Sequence, residues 1–136
     1  MQLNAYLNFD GTCAEAFQFY ERCLGGRIVA MQTFADSPMA DQVPPEWGEK
    51  IVHARLAVDG AVLMGSDSSA QRHQKPQGFA VSIQIDDPAG ADRVFHALAE
   101  NGTVQMPIQE TFWAARFGML VDRFGIPWMI NCERPA

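Results

Sequence analysis

Chemistry in this chain is concentrated in a few side chains. The segment Glu110-Thr111-Phe112-Trp113-Ala114-Ala115-Arg116-Phe117-Gly118 sets three aromatic residues around one cation. A guanidinium beside aromatic faces can hold a carboxylate or phosphate while the rings cover an apolar body. In the opposite reading Phe112 and Phe117 are core, and Arg116 pairs with Asp122 or Glu110. A second concentration is His53-Ala54-Arg55. The other two histidines offer less. His96 follows Phe95 in a helical stretch and is expected to be exposed, and His73 lies in a polar stretch and is expected to be solvated. That leaves His53 among scattered carboxylates, a poor metal set, since a catalytic site usually takes three or more protein ligands.

Nucleophiles and cofactor loops are equally sparse. Cys13, Cys23 and Cys132 form no CxxC. Cys13 and Cys23 fall near opposite ends of one helical stretch, about 15 Å apart at the helical rise, too far for a disulfide. All three read as reduced, structural thiols. There is no GxSxG, P-loop, GxGxxG or HExxH, and no glycine-rich strand-to-helix turn for S-adenosylmethionine or a dinucleotide. A formal charge of −6 with ten scattered basic residues argues against a nucleic-acid partner. No apolar run reaches the roughly 20 residues of a membrane span, and the first residues lack the pattern of a signal peptide. The expectation is a cytoplasmic chain, one domain by length.

The elements that must position these residues come in two similar sets. Residues 2–9 alternate, with Leu3, Ala5, Leu7 and Phe9 apolar, the period of a half-buried strand. Thr12-x-x-Glu15 reads as a capping box. Phe17, Tyr20 and Leu24 follow at helical spacing, and Gly25-Gly26 stops the helix. Strands are expected at 28–34, 51–58 and 61–66, the last two joined by the hairpin signal Asp59-Gly60. The prolines and glycine of 36–48 make a long loop, with Trp47 as its anchor or lid residue. Residues 67–78 read as a polar linker. The order then repeats. A strand at 79–85 precedes Asp87-Pro88, an N-cap with proline at the first helical position. Ala91, Val94, Phe95 and Leu98 make the helix stripe, and Asn101-Gly102 ends it. Strands at 103–106, 112–122 and 126–132 close the chain. The predicted fold is α+β: paired βαβββ modules, 1–67 and 78–133 of a single domain, forming a concave, partly open barrel-like sheet with helices outside.

Strand parity then locates a face. Positions that do not meet the helices point to the concave side: Asn4, Tyr6 and Asn8 from the first strand, and Ala80, Ser82 and Gln84 from its counterpart. Matching Val58 with Val121 in the repeat sets His53 against Arg116, both concave. In the closing strands parity alone is ambiguous. The more amphipathic choice faces Val62, Met64 and Ser66, and Pro127, Met129 and Asn131, to that side. The expected lining is Asn4, Tyr6, Asn8, His53, Arg55, Gln84, Arg116 and Asn131 among Met64, Met129 and nearby aromatics such as Trp113, a mixed surface of the kind a small molecule requires.

Several segments resemble a known family. Asn4-Ala5-Tyr6-Leu7-Asn8-Phe9-Asp10-Gly11 followed by Ala16-Phe17-Gln18-Phe19-Tyr20 is similar to the opening of vicinal-oxygen-chelate proteins, the glyoxalase and bleomycin-resistance superfamily. His53-Ala54-Arg55-Leu56, Leu63-Met64-Gly65-Ser66-Asp67, Glu110-Thr111-Phe112-Trp113-Ala114 and the stretch from Asp122 to Asn131 resemble its PhnB-like branch, often labelled a 3-demethylubiquinone-9 3-methyltransferase domain. The resemblance implies paired βαβββ modules and a homodimer. In metal-dependent relatives such as glyoxalase I, four strand positions supply His or Glu ligands. Carried onto this chain they fall at Asn4, Met64, Ala80 and Met129, none of them His, Glu or Asp.

The expectation is therefore a cytoplasmic, homodimeric protein that binds a small molecule without a metal or other cofactor, and without nucleic acid or membrane. In an enzymatic reading His53 is a general base and Arg116 stabilises a developing anion. The alternatives are a metal-dependent lyase, isomerase or dioxygenase, a methyltransferase-type enzyme, or a sequestering dimer.

Overall fold

The computed structural model describes residues 1–69 and 71–135, which fall into two compact units, Met1–Gln74 and Lys75–Ala136. The first unit runs β1 (Tyr6–Phe9), α1 (Cys13–Leu24), β2 (Arg27–Thr33), β3 (Ile51–Val58) and β4 (Ala61–Asp67). The second runs β5 (Val81–Gln84), α2 (Pro88–Ala99), β6 (Thr103–Gln109), β7 (Ala114–Val121) and β8 (Pro127–Glu133). Each is a four-stranded sheet, β1-β4-β3-β2 and β5-β8-β7-β6. The outer pairs β1/β4 and β5/β8 are parallel and the rest antiparallel. The α+β class and the repeated βαβββ order are those expected from the sequence.

Each helix covers one face of its own sheet. Cys13, Ala16, Phe17 and Tyr20 of α1 have no exposure, and neither do Leu56 and Ala54 of β3. Ala91, Phe95 and Leu98 of α2 pack likewise with Leu120 and Ile130. Glycine marks the closest approach in both units. A Cβ on Gly65 would lie 2.8 Å from Phe17 Cε1, and one on Gly118 2.7 Å from Phe95 Cε2. Neither strand can carry a side chain there without displacing the helix.

Local chemistry explains most of the turns. Gly25 is left-handed at φ 70° and its N–H donates to the Glu21 carbonyl, ending α1. Asp59 and Gly60, at φ 45° and 83°, make the tight hairpin whose twist suits two-residue loops. The Asp87 carboxylate accepts from the Gly90 N–H at 2.7 Å, with Pro88 opening α2. Residues 36–48 contain two single 3₁₀ turns, Ala40–Gln42 and Pro45–Trp47. Half-buried Trp47 lies under the Lys50 ammonium, 5.9 Å from the ring centroid, and Lys50 Nζ donates to the Gly11 carbonyl. Trp47 therefore anchors the loop near the start of α1.

Four expectations are corrected. The Thr12 side chain makes no capping bond; the Cys13 N–H donates instead to Asp67 Oδ1 at 2.9 Å, while Asp67 Oδ2 accepts from Ile51 N–H at 2.8 Å. Asp67 is accordingly not linker. It ends β4, 5% exposed, and ties α1 to β3. The linker reading of 67–78 also includes Ala70, which lies outside the described residues. The first strand is shorter than its alternation suggests, because contact with β4 begins at the Ala5 carbonyl, which accepts from Met64 N–H, and Leu3 is exposed. His73 is half-buried rather than solvated, and among the described residues its Nδ1 has no hydrogen-bond partner. His96 is exposed as expected.

Candidate functional site

The helix-free face of the first sheet carries the chain's imidazole–phenol pair. Tyr6 pairs across β1/β4 with Met64, Met64 with Arg55 on β3, and Arg55 with Ala30 on β2. One row along, Asn8 pairs with Ser66, and His53 with Gln32. Since Leu7, Ala54, Leu56, Leu63 and Gly65 are buried, alternation turns Tyr6, Asn8, His53, Arg55, Met64 and Ser66 away from α1. The Tyr6 hydroxyl lies 3.2 Å from His53 Nδ1, and the two rings stack at 5.8 Å. A hydroxyl donating to Nδ1 leaves the ring proton on Nε2. His53 and Arg55 are half-buried, while Tyr6 and Asn8 are exposed.

The corresponding face of the second sheet differs in chemistry. Ser82 pairs with Met129 and Met129 with Met119; Gln84 pairs with Asn131 and Asn131 with Phe117. Asn131 Nδ2 donates to Gln84 Oε1 at 2.8 Å, and Asn131 Oδ1 is buried with no partner among the described residues. Trp113 packs edge-on against Phe117 at 5.4 Å and Phe112 at 4.7 Å. Phe112 and Trp113 remain 90% and 48% exposed, so Phe112 is not core.

Arg116 is not on this face. Its Nε–H donates to Asp92 Oδ1 on α2 at 3.1 Å, and Nη1 to the Ala115 carbonyl. It shares the helix-facing row with Gly118 and Leu120. The expected match of His53 with Arg116 fails by one residue. Ala57 pairs with Val62, two before Met64, whereas Val121 pairs with Pro127, two before Met129. Val121 therefore corresponds to Ala57, not Val58, and a slip of one reverses every side chain. His53 then corresponds to Phe117 and Arg55 to Met119. The sequence contains the signal in the unequal turns, two residues after Val58 but five after Val121. Neither acid proposed for Arg116 is its partner. Glu110 faces Arg134, and Asp122 is spent on its own turn.

That turn accounts for much of the distinctive segment 122–131. Asp122, 3% exposed, accepts from the N–H groups of Phe124 and Ile126 through Oδ1, at 2.8 and 3.0 Å, and from Trp128 Nε1 through Oδ2 at 2.9 Å. Gly125, at φ 90°, lets the chain reverse there. These residues fold a hairpin and bury a tryptophan rather than meeting a ligand.

The positions corresponding to metal ligands do not fit a divalent ion. Met64 has Tyr6 and the Arg55 cation as cross-strand neighbours, and Met129 has Ser82 and Met119. Thioethers are soft donors, and a guanidinium beside one repels a cation. Among the described residues no three His, Cys, Asp or Glu side chains are grouped to hold a metal. The thiols are no better placed for nucleophilic work. Burial pushes the Cys13 thiol far above its ordinary range, with the Asp67 charge adding to the shift. No helix among the described residues is long and apolar enough to cross a membrane.

The sequence pattern of the Glyoxalase/Bleomycin resistance protein/Dioxygenase superfamily matches residues 2–130. Protein YjdN of Escherichia coli (strain K12) is 34% identical over 139 residues, covering 96% of this chain and 95% of that protein. The crystal structure of protein PA1353 from Pseudomonas aeruginosa superposes with a TM-score of 0.90 at 48% identity, over 99% of both chains. A Bacillus cereus structure described as a putative 3-demethylubiquinone-9 3-methyltransferase, PhnB protein, shares the fold at a TM-score of 0.81 and 24% identity, over 97% of this chain and 99% of that one. The matched pattern spans both βαβββ units, and the chain belongs to the glyoxalase/bleomycin resistance protein/dioxygenase superfamily.

Proposed function

We propose that this chain is a PhnB-like member of the superfamily that binds a compact small molecule on a helix-free sheet face without using a metal. The observation that carries this is the Tyr6–His53 pair beside half-buried Arg55 and Met64, the last of these standing at a position where the resemblance puts a metal ligand. Polar groups set beside an aromatic ring and a thioether are the usual make-up of a ligand surface. In the second unit Gln84, Asn131 and Trp113 supply amide groups and an aromatic face. A cytoplasmic homodimer is part of this proposal. The test is a thermal-shift screen across small metabolites on the wild type and His53→Ala, with metal analysis of the purified protein. Hits that stabilise the wild type and not His53→Ala support it. Hits indifferent to the substitution, or stoichiometric zinc, nickel or iron, overturn it.

A second reading makes the same face catalytic, with His53 as general base oriented by Tyr6. The 3.2 Å contact favours it in the tautomer whose Nδ1–H donates to the Tyr6 oxygen, because Nε2 is then the free nitrogen that takes a proton. Turnover that persists in His53→Ala sinks this reading.

A further inference from the structure

The face described for the first unit carries a cation, Arg55, with no counter-ion among the described residues. Three ion pairs join described side chains, Arg116–Asp92, Arg123–Glu100 and Arg134–Glu110, and Arg55 is in none of them. Arg22, Arg27, Arg72 and Arg93 also lack a carboxylate partner among the described residues, but all four are exposed and water serves them. Among the described arginines Arg55 alone is both half-buried and without an ion pair; Lys50, also half-buried and in no ion pair, donates to the Gly11 carbonyl and lies over Trp47. Its cross-strand neighbours are Ala30 and Met64, which accept little or nothing. A partly desolvated guanidinium without an acceptor is unfavourable unless something restores its hydrogen bonds.

The residues around it are donors or neutral. Tyr6, Asn8, Gln32, His53 and Ser66 share the face, and among the described residues the four strands put no Asp or Glu on it, their one acid, Asp67, being buried toward α1, although the chain holds 16 acids against 10 bases. An acid-free patch on a net-acidic chain selects ligands of one sign. The second unit is the internal contrast, because Met119 stands in the row position of Arg55 and Phe117 in that of His53.

We infer that the ligand of this face is a small organic oxyanion, a carboxylate or a phosphate ester, whose charged oxygens are held by Arg55 and whose planar body lies against the stacked Tyr6 and His53 rings. The planar fork of a guanidinium meets two oxygens at once, and the rings with the Met64 thioether cover a flat body. Arg55, not Arg116, is the anion anchor, since Arg116 already holds Asp92. The inference rests on the ligand-binding reading above and specifies its chemistry.

The test is an NMR titration of the intact chain, following the Arg55 Nε–H and the His53 ring protons, with benzoate, phenyl phosphate and neutral benzamide. Arg55→Met removes the charge and keeps the stem. Arg55→Lys keeps the charge and loses the fork. Arg22→Met makes the same change of net charge on an exposed arginine. The expected result is that benzoate or phenyl phosphate shifts both reporters and benzamide does not. Arg55→Met should weaken the anion about 10-fold or more, as loss of a charge-assisted bidentate contact does. Arg55→Lys should recover part of that, and Arg22→Met should stay within about 2-fold of wild type. Comparing benzoate with phenyl phosphate assigns the carboxylate or the phosphate source. Benzamide binding as well as the anions, or Arg55→Met behaving like Arg22→Met, overturns the oxyanion inference and leaves the ligand face standing. No shift at either reporter with any of the three probes overturns both.

Discussion

Replacing Asp122 by alanine should cost this protein more stability than any substitution on the helix-free face of its first sheet. Its carboxylate takes three donors at 2.8–3.0 Å, and two of those bonds, from Ile126 N–H and Trp128 Nε1, are buried. Hydrogen bonds to a charged acceptor contribute about 1.5–3 kcal/mol each, and a buried donor left unpaired costs about 1–3 kcal/mol. Phe124 N–H is only partly buried and can turn to water, so two bonds count in full. Releasing the buried charge returns part of the sum. The expected cost is about 3–5 kcal/mol, a large share of the roughly 5–15 kcal/mol that holds a typical domain together. Urea unfolding followed by tryptophan fluorescence and far-UV circular dichroism measures it, since Trp128 is itself a reporter. Glu100→Ala is the comparison. It removes an acid 69% exposed from its pair with Arg123, a change of about 1 kcal/mol or less. A cost for Asp122→Ala no larger than that of Glu100→Ala would refute the structural assignment of this motif.

Two further outcomes follow from the packing. Gly118→Ala places a methyl 2.7 Å from Phe95 Cε2 and 3.0 Å from Ile108 Cα, which should cost about 1–3 kcal/mol as overpacking; adding Phe95→Leu should recover part of it, and additive losses in the urea midpoints would refute the contact. The Cys13 thiol is held protonated by burial, with Asp67 adding to the effect, so the folded chain binds a proton that the unfolded chain releases above the ordinary thiol value. Stability should therefore be unaffected below about pH 8.5 and fall above it by roughly 1.4 kcal/mol per pH unit from this group, a slope that Cys13→Ala should lack when unfolding is measured between pH 8 and 10. The same burial should keep Cys13 unreactive toward a disulfide reagent until the chain unfolds.

How far the sequence could be read depended on whether an element was set locally. Asp59-Gly60, Gly25 and Asp87-Pro88 act through their own backbone, and each lies where its residue type implies. The Thr12–Glu15 capping box was equally well formed as a pattern and still failed. A carboxylate 54 residues away, Asp67 Oδ1, reaches the Cys13 N–H instead. Leu3 continues a clean alternation yet is exposed, because β4 meets the first strand only from the Ala5 carbonyl onward. The Arg116 error has the same origin. Alternation says that neighbours face opposite ways; it does not say which row meets the helix. The unequal hairpins moved the second unit by one residue against the first.

Once that register is corrected, the repeat separates two kinds of position. Toward the helices the units agree: Ala54 answers to Gly118 and Leu56 to Leu120, and each unit leaves one strand bare beneath a helix aromatic, Phe17 over Gly65 and Phe95 over Gly118. On the other face they part, Tyr6 answering to Ser82, Arg55 to Met119 and His53 to Phe117. The first row is held by volume, since a methyl added at either glycine meets a ring. No such constraint holds the second row, where side chains half-exposed to water tolerate change at little cost in stability. Agreement on the packed row with difference on the open one is what a scaffold used twice for unlike contacts requires. The ligand chemistry proposed for the first unit's Tyr6, His53 and Arg55 draws on this difference, since no packing demand explains their presence.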